Sequence, residues 1–134
     1  MKLRCIIVDD EPISRDILRT YIKDVPDLML LGECRDALEA NAILISQSVD
    51  LVFLDINMPR MNGIEFLRFV RNDSDFKKLP VVILTTSTEE QDKIESFELG
   101  ISGYMVKPVD YDEFVEMIQV VIKYWRLSEF PQED

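Results

Sequence analysis

Five short apolar runs alternate with five segments of helical periodicity, and this alternation limits the folds open to the chain more than any other feature. The runs predicted as strands are residues 4–8, 28–34, 51–54, 81–84 and 104–106, and the helical segments are residues 12–24, 37–47, 64–71, 89–99 and 110–125. Strands that alternate with helices form a parallel sheet between two helical layers, and right-handed crossovers leave few topologies. We therefore predict one α/β domain of three layers, α/β/α.

Acidic residues directly follow two of the predicted strands. Asp9 and Asp10 follow the first strand, and Asp55 follows the third. In a doubly wound, flavodoxin-like (βα)5 sheet with strand order 2-1-3-4-5, the first and third strands are neighbours. The three carboxylates then meet at the topological switch point, the edge where open α/β sheets bind ligands. The alternative is a structural role, in which Asp9 and Asp10 cap the helix that begins at Pro12.

Three carboxylates at one sheet edge repel one another unless they hold protons or bind a cation. Magnesium suits such a cluster because it takes oxygen ligands, needs only one or two protein carboxylates and commonly shares its coordination sphere with phosphate. Lys107, after the fifth strand, adds a positive charge at the same edge, and Thr85, after the fourth, adds a hydroxyl. Together these groups can accept a phosphoryl group as an aspartyl phosphate.

Composition argues against several other functions. The absence of histidine excludes His-based catalytic triads, His metal sites and a phosphohistidine within this chain. A formal charge of −11 argues against direct nucleic acid binding and favours basic proteins or divalent cations as partners, although a solvated acidic surface explains most of the charge.

Cys5 and Cys34 lack metal-ligand spacing and are predicted as reduced core residues. With no apolar run near the roughly 20 residues of a membrane span and no signal peptide, we expect a cytoplasmic protein without membrane insertion.

Four motifs, in this order and on these elements, resemble the receiver domain of bacterial two-component response regulators of the single-domain, chemotaxis type. They are Val8-Asp9-Asp10-Glu11, Phe53-Leu54-Asp55-Ile56-Asn57-Met58-Pro59 with Gly63, Leu84-Thr85-Thr86-Ser87, and Gly103-Tyr104-Met105-Val106-Lys107-Pro108. The resemblance covers about residues 3–126. We expect a receiver domain at residues 1–127, an acidic tail at 128–134 and no output domain.

The resemblance implies a role for each residue of the acidic edge. Asp55 is expected to be the phosphoacceptor. Asp10 and Asp55 are expected to ligate Mg²⁺ together with the main-chain carbonyl of Asn57, and Asp9 to act mostly through a metal-bound water. Lys107 is expected to contact the phosphoryl group.

The resemblance also implies a conformational switch. Thr85 is expected to move toward the phosphoryl group and Tyr104 to rotate inward, biasing the polar helix 89–99. The Lys107–Pro108 peptide bond is expected to be cis, which would place the lysine. Thr86 stands where relatives often carry a smaller residue, and is expected to narrow access to the phosphoryl group.

The predicted partners are proteins. The phosphoryl group is expected to come from a sensor histidine kinase or a phosphotransfer protein, and the signal to leave through contacts with a downstream protein target. Besides self-phosphorylation and autodephosphorylation, no enzymatic activity is expected. The motifs at residues 84–87 and 106–114 also resemble receivers paired with phytochrome-like kinases.

Two alternatives to this function remain. One is a pseudo-receiver, a binding module of the same fold that works without phosphorylation and need not keep the acidic pocket. The other is a metal-dependent phosphohydrolase with Asp55 as nucleophile, for which a general acid or base near Asp55 is missing.

Two helices carry apolar patterns that bear on packing and assembly. Ile94 and Phe97 are the predicted anchors of the polar segment 89–99, and Ile13 belongs to the predicted apolar stripe of the first helix, on which Arg15 and Arg19 face outward. In the last helix the predicted core face is Phe114, Ile118, Val121, Ile122 and Trp125. Tyr111, Val115 and Val120 widen this face, as part of a generous core or, alternatively, as an interface for a homodimer through residues 89–126.

Overall fold

The computed structural model describes residues 2–58 and 62–127, with side chains described to residue 124. Its elements are β1 (Leu3–Val8), α1 (Pro12–Lys23), β2 (Leu28–Cys34), α2 (Ala37–Ser46), β3 (Leu51–Leu54), α3 (Gly63–Asn72), β4 (Val81–Thr85), α4 (Glu90–Glu98), β5 (Gly103–Val106) and α5 (Tyr111–Leu127). The five strands are parallel and lie in the order β2-β1-β3-β4-β5. The predicted fold class and strand order are confirmed.

The sheet separates two apolar cores. On one face Val8 and Leu54 pack with buried residues of α2 and α3, and on the other Ile7 and Phe53 pack with buried residues of α1 and α5. All four residues of β3 are buried, which explains why this strand is apolar throughout rather than alternating. Cys5 and Cys34 are both free and buried, one in each core, as predicted.

The helix α4 is attached to the rest of the fold by polar contacts, and the prediction of its apolar anchors is wrong. Ile94 and Phe97 are 46% and 59% exposed, and Ser96 is the buried residue of this helix. The Arg71 guanidinium, on α3, donates a hydrogen bond of 2.6 Å to the Leu99 carbonyl at the end of α4. The helix sequence is polar on nearly every face, so α4 has no wide apolar stripe against the sheet, and it is held in part by this hydrogen bond and by an ion pair between Arg68 of α3 and Glu95.

Three further residues of the predicted apolar stripes lie on the surface. Ile13 on α1 is 59% exposed, so its predicted place in the apolar stripe of that helix is wrong. Tyr111 and Val120 on α5 are 61% and 64% exposed, so the prediction of a generous core is wrong for these two residues. Only Val115 of the widening set is partly buried. The sheet covers about one third of a helix surface, and residues outside that sector remain exposed whatever their hydrophobicity.

The rest of the predicted α5 core face is confirmed within the part that the structure describes. Phe114, Ile118, Val121 and Ile122 are buried, while the Trp125 side chain and the predicted tail at 128–134 lie outside the described residues. None of the helices in residues 2–58 and 62–127 is both long enough and apolar enough to cross a membrane.

Replacing Gly63 by alanine is expected to destabilise the fold by about 3 kcal/mol. A Cβ atom there would lie 2.4 Å from the Ile56 Cα and 2.7 Å from the Asp55 carbonyl oxygen, both of them backbone atoms. Gly103→Ala is the matched control, since a Cβ at Gly103 meets nothing within 4 Å. Urea denaturation measures both variants, and equal free energies of unfolding would contradict the prediction.

Candidate functional site

The pairing of β1 with β3 brings the three acidic residues together at one end of the sheet. Val8 lies opposite Leu54 in the register, and the Asp55 amide donates to the Val8 carbonyl at 2.8 Å. Asp9, Asp10 and Asp55 each offer a carboxylate oxygen, and these oxygens lie within 4.8 Å of one another. Asp9 and Asp55 are buried, at 2% and 4% exposure, while Asp10 is exposed. The predicted convergence of the three carboxylates is observed.

Lys107 is the buried cation of this cluster. Its Nζ lies 2.8 Å from an Asp9 carboxylate oxygen and 3.4 Å from an Asp55 carboxylate oxygen. Its amide donates to the Thr85 carbonyl at 2.7 Å, which continues the β4–β5 pairing and fixes the start of the side chain. The ammonium therefore bridges the two buried carboxylates.

The expected cis bond between Lys107 and Pro108 is wrong, because the described residues contain no cis peptide bond. The trans isomer is intrinsically favoured before proline. In this structure the trans chain already delivers the lysine to both carboxylates, so the contact does not require the cis isomer.

Burial makes two carboxyl groups of the cluster, those of Asp9 and Asp10, harder to ionise. Burial raises the pKa of Asp9 to about 6, against the opposing effect of Lys107. Burial and the nearby Asp55 charge raise the pKa of Asp10. Burial opposes the charge of Lys107, yet Asp9 and Asp55 hold its pKa above the ordinary value of 10.5. Asp9 therefore binds its proton more tightly in the folded chain than in the unfolded chain. This difference stabilises the fold below pH 3.8, and the stabilisation is lost as the pH rises from 3.8 to about 6.

Short loops after the strands hold the buried carboxylates. The Glu11 amide donates to one Asp9 carboxylate oxygen at 2.9 Å, and the Asn57 amide donates to one Asp55 carboxylate oxygen at 3.0 Å. Each contact closes a turn in which a side chain accepts from the backbone two residues on. The other oxygen of each carboxylate is the one that meets Lys107.

The predicted switch residues meet at Ser87, a residue of the motif at residues 84–87 for which no role was predicted. The Ser87 amide donates to the hydroxyl oxygen of the fully buried Thr85 at 3.2 Å, and the Tyr104 hydroxyl donates to the Ser87 carbonyl at 3.1 Å. The Ser87 hydroxyl donates to the Asp92 carboxylate at 2.5 Å, on the first turn of α4. One residue thus links the predicted threonine and tyrosine to α4.

Thr86 and Asn57 join the two loops beside the acidic cluster. The Asn57 side-chain amide donates to the exposed Thr86 hydroxyl at 3.0 Å. The two loops follow β3 and β4, so this hydrogen bond lies at the same end of the sheet as Asp55. Nothing in the sequence pattern predicts this contact between side chains 29 residues apart.

The cluster suits a small divalent cation. Its ligand atoms are carboxylate oxygens, the donors that magnesium and manganese prefer, and their spacing lets one ion touch more than one of them. Two of the three are buried, and among the described residues the ammonium of Lys107 is the one cation paired with them, so a bound metal ion would relieve their repulsion.

Comparison with known proteins identifies the family. A model of the response regulator receiver domain matches residues 5–119, which is most of the chain. The chain therefore belongs to the response regulator receiver family, as its sequence motifs indicated.

Individual relatives agree with this assignment. The response regulator Rcp1 of Synechocystis sp. is 33% identical over 123 residues, which are 87% of this chain and 81% of the relative. A structure described as the Mn²⁺-bound form of Rcp1 is 29% identical with a TM-score of 0.89, and covers 98% of this chain and 99% of its own. An uncharacterized response regulatory protein of Shewanella oneidensis is 31% identical over 90% of this chain and 49% of its own length. The chain spans about half the length of the curated relatives first matched.

Replacing Asp10 by asparagine is expected to stabilise the metal-free protein by about 0.5 kcal/mol, a small gain because solvent screens this exposed carboxylate. The same variant should lose most of the stabilisation that Mg²⁺ gives the wild type, which is about 1.4 kcal/mol at ten times the dissociation constant. Urea denaturation with EDTA or with Mg²⁺ measures both effects. Asp16→Asn, an exposed aspartate on α1, is the control, and an Asp10 variant that keeps the magnesium effect would contradict the prediction.

Proposed function

We propose that Asp55 accepts a phosphoryl group from a phosphohistidine on a sensor histidine kinase or phosphotransfer protein. The single observation that carries the proposal is the bridging of Asp9 and Asp55 by the buried Lys107 ammonium, beside the third carboxylate of Asp10. A nucleophile, a cation for the transferred group and a cluster able to hold a divalent metal thus share one small site. Membership of the receiver family agrees with this chemistry.

The proposed transfer is a displacement at phosphorus. An Asp55 carboxylate oxygen attacks, a phosphorus–oxygen bond forms as the phosphorus–nitrogen bond of the donor breaks, and the imidazole leaves with a proton from solvent. Asp10, Asp55 and the Asn57 carbonyl would hold Mg²⁺, with Asp9 assisting through a water, and the ion would supply positive charge for the phosphoryl oxygens. Lys107 contributes a second positive charge, by turning from Asp9 toward the phosphoryl oxygens. Transfer then depends on positioning and electrostatics.

The proposed signal begins at Thr85. When its hydroxyl turns to a phosphoryl oxygen, its hydrogen bond with the Ser87 amide is lost. Ser87 also holds the Tyr104 hydroxyl and the first turn of α4. The change at Thr85 therefore has a direct route to the 89–126 face, where a downstream protein target would read it. Thr86, which is hydrogen-bonded to the Asn57 side chain, would limit the access of water to phosphorylated Asp55.

This proposal places the protein in the cytoplasm as a signalling phosphoacceptor, with residues 1–127 as the receiver and 128–134 as a tail. A phytochrome-type kinase as the partner stays a prediction.

The intact acidic cluster and its lysine disfavour a pseudo-receiver, because a module that works without phosphorylation needs neither the cluster nor the lysine. A phosphohydrolase is disfavoured because the chain has no histidine to act as general acid or base, and because the described side chain that donates to Asp55, Lys107, also bridges to Asp9.

Incubation with acetyl phosphate and Mg²⁺ is expected to add one phosphate to the wild type, visible by intact mass spectrometry, because the site itself provides the positioning. Asp55→Asn should add none, and Asp50→Asn, an aspartate just before β3, should behave as the wild type. EDTA should suppress the adduct. A phosphate that persists in Asp55→Asn would contradict the proposal, and multiple turnover of phosphate esters would favour the phosphohydrolase.

We also propose that the protein forms a symmetric homodimer through the 89–126 face. This face exposes Ile94, Phe97, Tyr111 and Val120, each at more than 40%. Within this set Ile94 and Phe97 lie three residues apart on α4, so they share one side of that helix, and an exposed apolar patch of this kind can mark an interaction surface.

Light scattering with and without beryllofluoride, a phosphoryl mimic, should detect the dimer in at least one state. Phe97→Ser should shift it toward monomer, because a large exposed apolar side chain is lost from the interface. Leu38→Ser on α2, which also removes an exposed apolar side chain (67% exposed), is the control and should leave the dimer unchanged. A monomer in both states at tens of micromolar would contradict the proposal.

A further inference from the structure

Arg15 lies beside the acidic loop, although its helical position predicts that it faces solvent. Its Nη1 donates a hydrogen bond of 2.7 Å to the main-chain carbonyl of Asp9, and its side chain is only 15% exposed. The prediction of an outward-facing Arg15 is therefore wrong. A helical wheel does not show that the guanidinium reaches back over the start of its own helix.

The Asp9 carbonyl is the point where the chain leaves the regular sheet. The Asp9 amide still donates to the Cys34 carbonyl of β2 at 2.9 Å, as a strand residue would. The Asp9 carbonyl belongs to the next peptide group, the one that joins Asp9 to Asp10, and its orientation sets the direction in which Asp10 departs. The Arg15 guanidinium fixes that peptide group through a charge-assisted hydrogen bond, which is stronger than a neutral one.

A second contact holds the guanidinium in place. Glu33 on β2 lies 3.8 Å from the Arg15 Nε and accepts a hydrogen bond of 2.7 Å from Arg19 Nη1. Arg15 thus spans from β2 to the acidic loop, whereas Arg19 meets Glu33 and Asp16. These two arginines lie one turn apart on α1 and share a partner, so they form a matched pair for experiment.

From these contacts we propose that Arg15 is a positioning residue for the metal site: it holds the Asp9–Asp10 peptide group so that the Asp10 carboxylate meets those of Asp9 and Asp55. The inference rests on the proposed function, since it assumes that the cluster holds Mg²⁺. Groups that orient metal ligands without touching the metal commonly affect its affinity as much as tenfold or more.

A purely electrostatic role gives the opposite expectation. A guanidinium near the cluster repels a divalent cation, so loss of its charge alone would tighten Mg²⁺ binding. Loss of a positioning contact would weaken it. The direction of the change in affinity therefore separates the two roles.

The test is isothermal titration calorimetry of Mg²⁺ with the full chain and three variants. Arg15→Gln should weaken binding about tenfold. Arg15→Lys should also weaken it, by a smaller factor, because an ammonium lacks the planar fork that meets Glu33 and the Asp9 carbonyl together. Arg19→Gln, which disturbs the same Glu33, should bind Mg²⁺ within about twofold of wild type, the tolerance expected of exposed ion pairs.

A second readout separates positioning from a general loss of structure. Labelling by acetyl phosphate should be slower in Arg15→Gln at low Mg²⁺, and should return to the wild-type rate at saturating Mg²⁺. The inference would be overturned if Arg15→Gln or Arg15→Lys bound Mg²⁺ as tightly as Arg19→Gln, or more tightly. A wild type that binds no Mg²⁺ would also overturn it. A wild type that binds Mg²⁺ but takes up no phosphate from acetyl phosphate or a cognate kinase would overturn the proposed function instead.

Discussion

The site depends on the contact of one buried ammonium with two buried carboxylates. Lys107 lies 2.8 Å from Asp9 and 3.4 Å from Asp55, and Asp10 adds a third negative group within 4.8 Å. Removing two charges from water is costly, and one ammonium cannot neutralise three carboxylates. Among the described residues, carboxylates therefore outnumber the cation that contacts them at this edge, and a divalent cation can relieve their repulsion.

The rest of the fold serves this arrangement through backbone geometry. The parallel pairing of β1 with β3 brings Asp9 and Asp55 to one edge, and Gly63 lets α3 begin against the Asp55 backbone where a side chain would collide. The other side of the site differs in character. Beyond Thr85 the chain reaches α4, which buries Ser96 and is tied by polar contacts. A tightly packed acidic edge thus adjoins an element whose position depends on a few hydrogen bonds, and such an element can move at small energetic cost.

The elements and the acidic cluster were predictable because they follow from local pattern. An apolar run that stops at Asp9 or Asp55 marks both a buried strand and its end, and parallel topology then brings the ends together. Contacts that depend on distances across the fold were not predictable in this way. The rotation of α4 exposes Ile94, and the Arg15 guanidinium returns to the Asp9 carbonyl. The trans bond before Pro108, where family resemblance implied cis, shows that a likeness does not fix every local conformation.

The most direct test of the central claim is a crystal structure of the protein with Mn²⁺ and beryllofluoride, in which anomalous scattering locates the metal. The account predicts Mn²⁺ bound between Asp10 and Asp55, beryllium bonded to an Asp55 carboxylate oxygen, and Lys107 moved from Asp9 to a fluoride. A metal bound elsewhere, or a mimic that leaves Asp55 unmodified while Lys107 still bridges Asp9 and Asp55, would contradict it.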